Sequence, residues 1–394
     1  MILYITNIIP LFFSINLIIS ISINFLFLLL KYMRGGDILQ NFHGANLFEI
    51  AQKNHVDINE IMDFSSNINP LSPSPRALKF LKENLDLIRT YPDPSYNNLK
   101  NSISSYVHCH KDHIILGLGA TELLINFINI IDPKKSLILS PSYSEYENNL
   151  RNIGSQIYYY QLNFDNNFKI SCDYIIDFIN KNNIELFVFS NPNNPTGSIL
   201  TNTEIKKILN NTKAYIIVDE TYIEFTDMDI YSCTNLISSF DRLIVTRGTS
   251  KFFGIPGLRL GYSLNSNVEI IEKFKKNQVL WQINICADIM GQEMFKDKEY
   301  IERVFKYITD QRLKLTDEIK KINNLMPVES KGNFILVKVL KGTNKIIVEK
   351  LKKDLIFVRD CSNFKGLDDT YFRFCILDTK SNEIFIKKLK DIKL

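Results

Sequence analysis

The 394-residue chain sets 47 Lys and Arg against 43 Asp and Glu, and a formal charge of +4 spread along Lys-rich helical stretches gives no basis for nucleic-acid binding. With 45 % hydrophobic and 23 % charged residues, it is long and apolar enough for a large core with a smaller second unit. Its six cysteines (Cys109, Cys172, Cys233, Cys286, Cys361 and Cys375) form no Cys-x-x-Cys pair, so the plain reading is a reduced, cytoplasmic protein without a disulfide framework.

Residues 1–30 carry no charged side chain and are dominated by Ile, Leu and Phe. About 20 apolar residues suffice to span a bilayer, and the segment lacks the positive n-region and small-residue cleavage site of a secretory signal. Three accounts stand: translation from Met33, which leaves residues 1–32 outside the working protein; an anchor; or a helix packed on the body. Lys31 and Arg34 on the downstream side would keep the body of an anchored chain cytoplasmic.

Residues 37–85 read as an N-terminal arm, with His43-Gly44-Ala45-Asn46 and Asp63-Phe64-Ser65-Ser66-Asn67-Ile68-Asn69-Pro70-Leu71 as its polar elements. Residues 86–285 read as a large unit of alternating strands and helices around a mostly parallel sheet. It begins near Arg89-Thr90-Tyr91-Pro92-Asp93-Pro94. His108-Cys109-His110 with Asp112 and His113 has the residue types of a metal cluster, but it directly precedes the strand at Ile114 and reads as a polar loop, so no metal site is expected. Ile114-Ile115-Leu116-Gly117-Leu118-Gly119-Ala120-Thr121-Glu122 runs from a strand through a glycine turn into an apolar helix, which offers backbone N–H groups to an anion. Alone, that turn would serve a nucleotide equally well.

Pro141-Ser142-Tyr143-Ser144-Glu145-Tyr146 follows. The buried-strand pattern Ile184–Phe189 ends in the tight turn Asn191-Pro192-Asn193-Asn194-Pro195-Thr196-Gly197. A second such strand, Ile216-Ile217-Val218-Asp219, places a carboxylate at its end and Tyr222 just beyond. Thr249-Ser250-Lys251-Phe252-Phe253-Gly254-Ile255-Pro256-Gly257-Leu258-Arg259 then gathers an amine, two hydroxyls and a guanidinium on one loop. A lysine forms a Schiff base with an aldehyde, while hydroxyls and a planar Arg fork suit a phosphate. Pyridoxal 5'-phosphate (PLP) carries both groups, and the four segments together fit a strand-end cofactor crevice in an open α/β sheet. Residues 286–394 read as a smaller α+β unit: a helical stretch from Ala287 to Ile322, then strands at Asn333–Val339 and Leu355–Val358. In the Tyr371-Phe372-Arg373 alternation, an inward-facing charge calls for a ligand or partner.

These four motifs, in this order, resemble the fold-type I PLP-dependent enzymes of the class I/II aminotransferase superfamily over residues 37–394. The resemblance implies that Lys251 holds the cofactor covalently and Asp219 pairs with its ring nitrogen. It implies that Tyr222 and Asn194 bond the ring's phenolic oxygen, Tyr143 stacks on the ring, and Gly119, Ala120, Thr121, Ser250 and Arg259 hold the phosphate. Tyr91 resembles a tyrosine that reaches the phosphate in the partner subunit, which implies a homodimer. Many relatives carry a hydroxyl three residues before the lysine, where this chain has Gly248.

Within the superfamily, the His43-Gly44-Ala45-Asn46 and Asp63–Leu71 segments resemble threonine-phosphate decarboxylases, as do Val358–Phe364, Gly366-Leu367 and Tyr371–Arg373. These enzymes make aminopropanol phosphate for the nucleotide loop of cobalamin. The implied substrate residues are His43, Gly44, Asn67, Asn194, Arg359 and Arg373, with Arg373 on the carboxylate and Arg359 on the phosphate. Histidinol-phosphate aminotransferases share the general plan and remain the alternative. A silent, binding-only copy is disfavoured because Lys251, Asp219, Tyr222, Asn194 and Arg259 are all retained.

Overall fold

A computed structural model describes Gly44 and residues 46–393. The expectations for residues 1–32 and for His43 lie outside the described residues. Among the described residues, no helix is long and apolar enough to cross a membrane.

A short strand β1 (Met62–Asp63) opens the described chain. The main sheet follows, with β2 (Ile114–Gly117), β3 (Lys135–Ser140), β4 (Gln156–Gln161), β5 (Leu186–Ser190), β6 (Tyr215–Asp219), β7 (Leu243–Gly248) and β8 (Gly261–Leu264). Their order across the sheet is β2-β8-β7-β6-β5-β3-β4. Every pair from β7 to β4 is parallel, and β8 runs antiparallel to both of its neighbours. The expected mostly parallel sheet is therefore present. Strands β2, β5, β7 and β8 are buried throughout, as helices on both faces require, and β2, β5 and the first half of β7 are accordingly runs of Ile, Leu, Val and Phe rather than alternations.

Register brings the strand ends together. Ser190 lies opposite Asp219, and Asp219 opposite Thr246, so the carboxyl ends of β5, β6 and β7 open at one edge. That edge is where an open α/β sheet leaves a crevice.

The second sheet, β12-β13-β10-β9, contains β9 (Leu325–Pro327), β10 (Phe334–Val339), β12 (Arg359–Asp360) and β13 (Tyr371–Cys375). Strand β11 (Ile356–Phe357) pairs instead with β1, in parallel. The single strand expected over Leu355–Val358 is thus divided: the chain changes partner at Val358, and Leu355 sits at φ +56° before it. The helical stretch expected from Ala287 to Ile322 is also two helices, Ile285–Met294 and Lys298–Lys320. Asp297 causes the break, since its carboxylate accepts from the Tyr300 N–H (3.2 Å) and starts a new helix rather than continuing the old one. The same carboxylate accepts from Ser74 Oγ at 2.5 Å, which ties the junction to the arm.

The arm packs on the second sheet rather than standing apart from it. Phe64 is fully buried and stacks on Phe385 with centroids 4.6 Å apart, and the Cys375 N–H donates to Phe64 O at 2.8 Å. Burying one such ring contributes roughly 1.5–3 kcal/mol. Residues 65–69 are thereby held over the crevice.

Candidate active site

Lys251 follows β7, and its Nζ donates to Ser66 O at 2.6 Å, across 185 residues of sequence. Burial, with Arg373 adding to it, lowers its pKa from 10.5 to about 8. Asp219, at the end of β6, is buried, and burial pushes its carboxyl up. Three donors oppose that shift: Tyr146 OH at 2.7 Å, Thr221 Oγ1 at 2.5 Å and Thr221 N at 3.0 Å. A desolvated carboxylate so framed gains most from a cationic partner brought by a ligand.

The helix Ala120–Ile131 presents its free N–H groups beside these residues. Gly119, at φ +102°, makes the turn into it, and a Cβ there would come within 2.8 Å of Arg259 Nη2. Arg259 donates through Nη2 to Leu118 O at 2.8 Å, which ties the fork to the glycine turn. Ser250 and Thr121 join the same lining, and Thr121 Oγ1 lies 3.4 Å from Tyr143 OH. A Cβ on Gly248 would meet Ala120 Cβ only at ordinary contact distance (3.4 Å), so crowding is not what keeps the missing hydroxyl from this position.

On the other side, Asn67 Nδ2 donates to Tyr222 OH at 3.3 Å, and the Tyr222 ring packs edge-on to Phe334. Arg373 is 2 % exposed; it donates to Ser65 O at 2.7 Å and to the Asn194 side-chain oxygen. Its Nε has no partner among the described residues, and neither has Asn67 Oδ1. Both are therefore available to a ligand. Tyr143 lines the cleft with its phenol pushed by burial to about 12. The whole cleft, roughly 290 Å³, contains Gly119, Ala120, Thr121, Asn194, Lys251 and Arg259 among its walls.

Arg359 is the register partner of Arg373 across β12 and β13, so the two side chains share a face. It lines a second cavity of about 170 Å³ with Asn363, Lys365 and Tyr159, and that cavity shares Tyr143 with the cleft. Its Nη2 donates to Asn363 Oδ1 at 2.7 Å, and burial, with Arg373 adding to it, lowers its pKa. Gly44 instead abuts the wall of the main cleft: a Cβ there would lie 2.7 Å from Ser66 Oγ. Tyr91 is the outlier, because it is 76 % exposed, stacks on Trp281 at 4.3 Å and is absent from the cleft of its own chain.

Sequence reasoning missed Ser66, Tyr146, Thr221 and Ser190. Thr221 had a readable signal, a hydroxyl two residues after a strand-end aspartate. Ser66 contributes a backbone carbonyl, which side-chain identity does not announce.

A family model for aminotransferase class I and II matches residues 59–389. The chain belongs to this family. It is 35 % identical over 365 residues to a provisionally named threonine-phosphate decarboxylase of Caldanaerobacter subterraneus subsp. tengcongensis, covering 91 % of this chain and 96 % of that protein. It is 30 % identical to the histidinol-phosphate aminotransferase of Methanosphaera stadtmanae, over 89 % of this chain and 95 % of the relative. The crystal structure of the Clostridium acetobutylicum histidinol-phosphate aminotransferase superposes with a TM-score of 0.79 at 34 % identity, covering 84 % of this chain and 98 % of that one. Class I/II aminotransferases depend on PLP, so this is a PLP-dependent enzyme with the fold-type I architecture. The residues present fit the cofactor: an amine of lowered pKa, a buried carboxylate lacking a cation, and an anion cup at a helix N-terminus.

Proposed function

We propose that the chain decarboxylates L-threonine O-3-phosphate to (R)-1-aminopropan-2-yl phosphate and CO₂, supplying the nucleotide loop of cobalamin. The observation that carries this reading is the paired placement of Arg359 and Arg373. One guanidinium is buried beside Lys251 and Asn194; the other is its register partner at a cavity that also holds Lys365. Two separated cations suit a substrate with a carboxylate at one end and a phosphate at the other.

Lys251 would hold the cofactor, Asp219 would meet its ring nitrogen, Tyr222 and Asn194 its phenolic oxygen, and Tyr143 its ring face. The helix start at Gly119, Ala120 and Thr121 would take the phosphate with Ser250 and Arg259. When bound, PLP supplies an electron sink for the pair left behind as a bond at Cα breaks. Arg373 fixes the carboxylate, while Arg359 holds the phosphate with Lys365. Together they would orient Cα so that the bond to the carboxylate, not the bond to hydrogen, is the one that breaks; a misplacement of about 1 Å costs on the order of 10²-fold. Lys251 Nζ, with its pKa lowered to about 8, would exchange a proton readily near neutral pH and, in its protonated form, could return one to Cα. Gly44 and Asn67 would complete the substrate pocket.

The enzyme acts as a cytoplasmic homodimer on this reading. Tyr91, stacked on Trp281 beside the exposed Val279 and Leu280, offers apolar surface to a second copy, from which Tyr91 would reach the partner's phosphate cup. Residues 37–85 serve as the arm, 86–285 as the cofactor unit and 286–394 as the smaller unit.

The likeness to histidinol-phosphate aminotransferases favours a second reading, amino transfer from a phosphorylated amino alcohol to an oxo acid. Incubating PLP-loaded enzyme with O-phospho-L-threonine and no oxo acid separates the two. Release of CO₂ with aminopropanol phosphate is expected. Turnover that requires an oxo acid and yields no CO₂ would overturn the decarboxylase reading.

A further inference from the structure

Strands β6 and β7 end at the cleft, and behind them lies a charged cluster to which the chemistry above gives no part. Arg247, on β7, is 2 % exposed. Its Nε donates to Glu220 Oε2 at 2.9 Å, and Nη2 lies 2.8 Å from the same oxygen. Nη2 also donates to Ser232 Oγ at 2.8 Å, while Nη1 faces Glu224 Oε1 at 3.6 Å and Tyr262 OH at 3.5 Å. Glu220 is fully buried; its Oε1 accepts from the Cys233 N–H at 2.7 Å and its Oε2 from Ser232 Oγ at 3.0 Å. The Glu220 N–H donates to Thr246 O at 2.8 Å, extending the ladder between the two strands.

The position of the cluster matters as much as its bonds. Glu220 directly follows Asp219, and Glu224 lies two residues beyond Tyr222. Arg247 lies four residues before Lys251. A single side chain thus ties the segment bearing Asp219 and Tyr222 to the segment bearing the lysine. We propose that Arg247, Glu220 and Glu224 form a positioning cluster behind the active site, which clamps residues 219–225 to β7 and so fixes Asp219 and Tyr222 relative to Lys251.

The charge balance gives the clamp a second property. One guanidinium faces two carboxylates, and the other titratable groups around it are Tyr106, Tyr262 and Cys233, none of them a cation. Burying an unmatched carboxylate is costly, which favours a proton on one of the two. Glu224 is that one: Glu220 takes the close guanidinium bonds, and Glu224 Oε2 has no partner among the described residues. Burial, opposed by Arg247 and reinforced by Glu220, pushes Glu224 to about 7. Ionisation of Glu224 would add a second negative charge to the clamp and draw Arg247 from Glu220 toward it.

The inference rests on PLP dependence alone and holds for either phosphorylated substrate. The test uses PLP-loaded enzyme and the visible absorption of the lysine-bound cofactor, titrated across neutral pH in the parent, Glu224→Gln and Arg247→Lys. The parent is expected to show a spectral step near pH 7 that Glu224→Gln lacks, with an unchanged melting temperature. Arg247→Lys is expected to shift the band and lower kcat about tenfold, with KM within about twofold, as loss of alignment rather than of binding would do. A Glu224→Gln titration identical to the parent's would overturn the proposal. So would an Arg247→Lys enzyme with parental spectrum and kcat and only a lower melting temperature. Should Arg247→Lys not fold, the Glu224→Gln titration decides alone.

Discussion

At the scale of single residues, the site is a set of groups moved from their ordinary ionisation by burial, and Lys251 is the clearest. With its pKa at about 8, roughly a quarter of the apoenzyme carries a neutral amine at about pH 7.5, against about a thousandth for an ordinary lysine. Burial favours the neutral form, so the reactive amine is lost as pH falls through 8. Stopped-flow loading of apoenzyme with PLP should therefore quicken as pH rises and level off above about 8; a rise that continues toward 10 would place Lys251 outside the buried setting described. Arg373 illustrates a different dependence. Arg373→Met removes a buried guanidinium that holds Asn194 and Ser65, and should lower kcat/KM by the equivalent of about 2–5 kcal/mol, with KM rising most. Steady-state kinetics on O-phospho-L-threonine measures this. Lys251, Asp219, Asn194 and Arg259 were legible in the chain because each sits in a local motif at a strand end. Ser66 and Tyr146 were not, because their roles arise from contacts 185 and 73 residues away along the chain.

At the scale of elements, glycine turns set how closely backbone approaches the phosphate cup. Gly119 combines φ +102° with a Cβ position 2.8 Å from Arg259 Nη2, and a Cβ on Gly261 would lie 2.6 Å from Gly119 C. Gly119→Ala should weaken PLP binding at least about tenfold while the melting temperature of the apoenzyme falls by only a few degrees, since the strain is local. Fluorescence titration with PLP and thermal melting together check this. Strands β2, β5 and β6 of the main sheet were legible as apolar runs, since burial on both faces leaves them no polar alternation. The pairing of β1 with β11 was not, because two-residue strands leave no periodicity to read. The restart at Asp297 was hidden as well: the residues on either side continue a helical pattern, and only the capping carboxylate marks the break.

At the scale of the molecule, the proposed dimer gives two outlying residues a part to play. Tyr91 and Trp281 stack on each other on an exposed surface, away from their own chain's cleft. Sedimentation should give twice the mass of the 45.8 kDa chain. Mixing Lys251→Ala chains with Tyr91→Ala chains should recover activity that neither has alone, because the first lends its Tyr91 to the intact lysine of the second. A monomer, or no recovery on mixing, would remove Tyr91 from the site. The superfamily was readable at this scale from four motifs in order, but the reaction was not. Decarboxylation and amino transfer differ in which bond at Cα is held perpendicular to the cofactor, and on the proposed reading that angle would be set jointly by Arg359, Arg373 and residues 65–69 rather than by any one residue.

The most direct measurement follows the hydrogen on Cα. O-phospho-L-threonine deuterated at Cα is incubated with PLP-loaded enzyme and an oxo acid as amino acceptor, and the products are weighed by mass spectrometry. If the carboxylate bond is the one that breaks, aminopropanol phosphate appears with its deuterium retained and one CO₂ per amine. If deuterium is lost to solvent and an oxo product accumulates without CO₂, the enzyme cleaves the bond to hydrogen, and the decarboxylase account is contradicted.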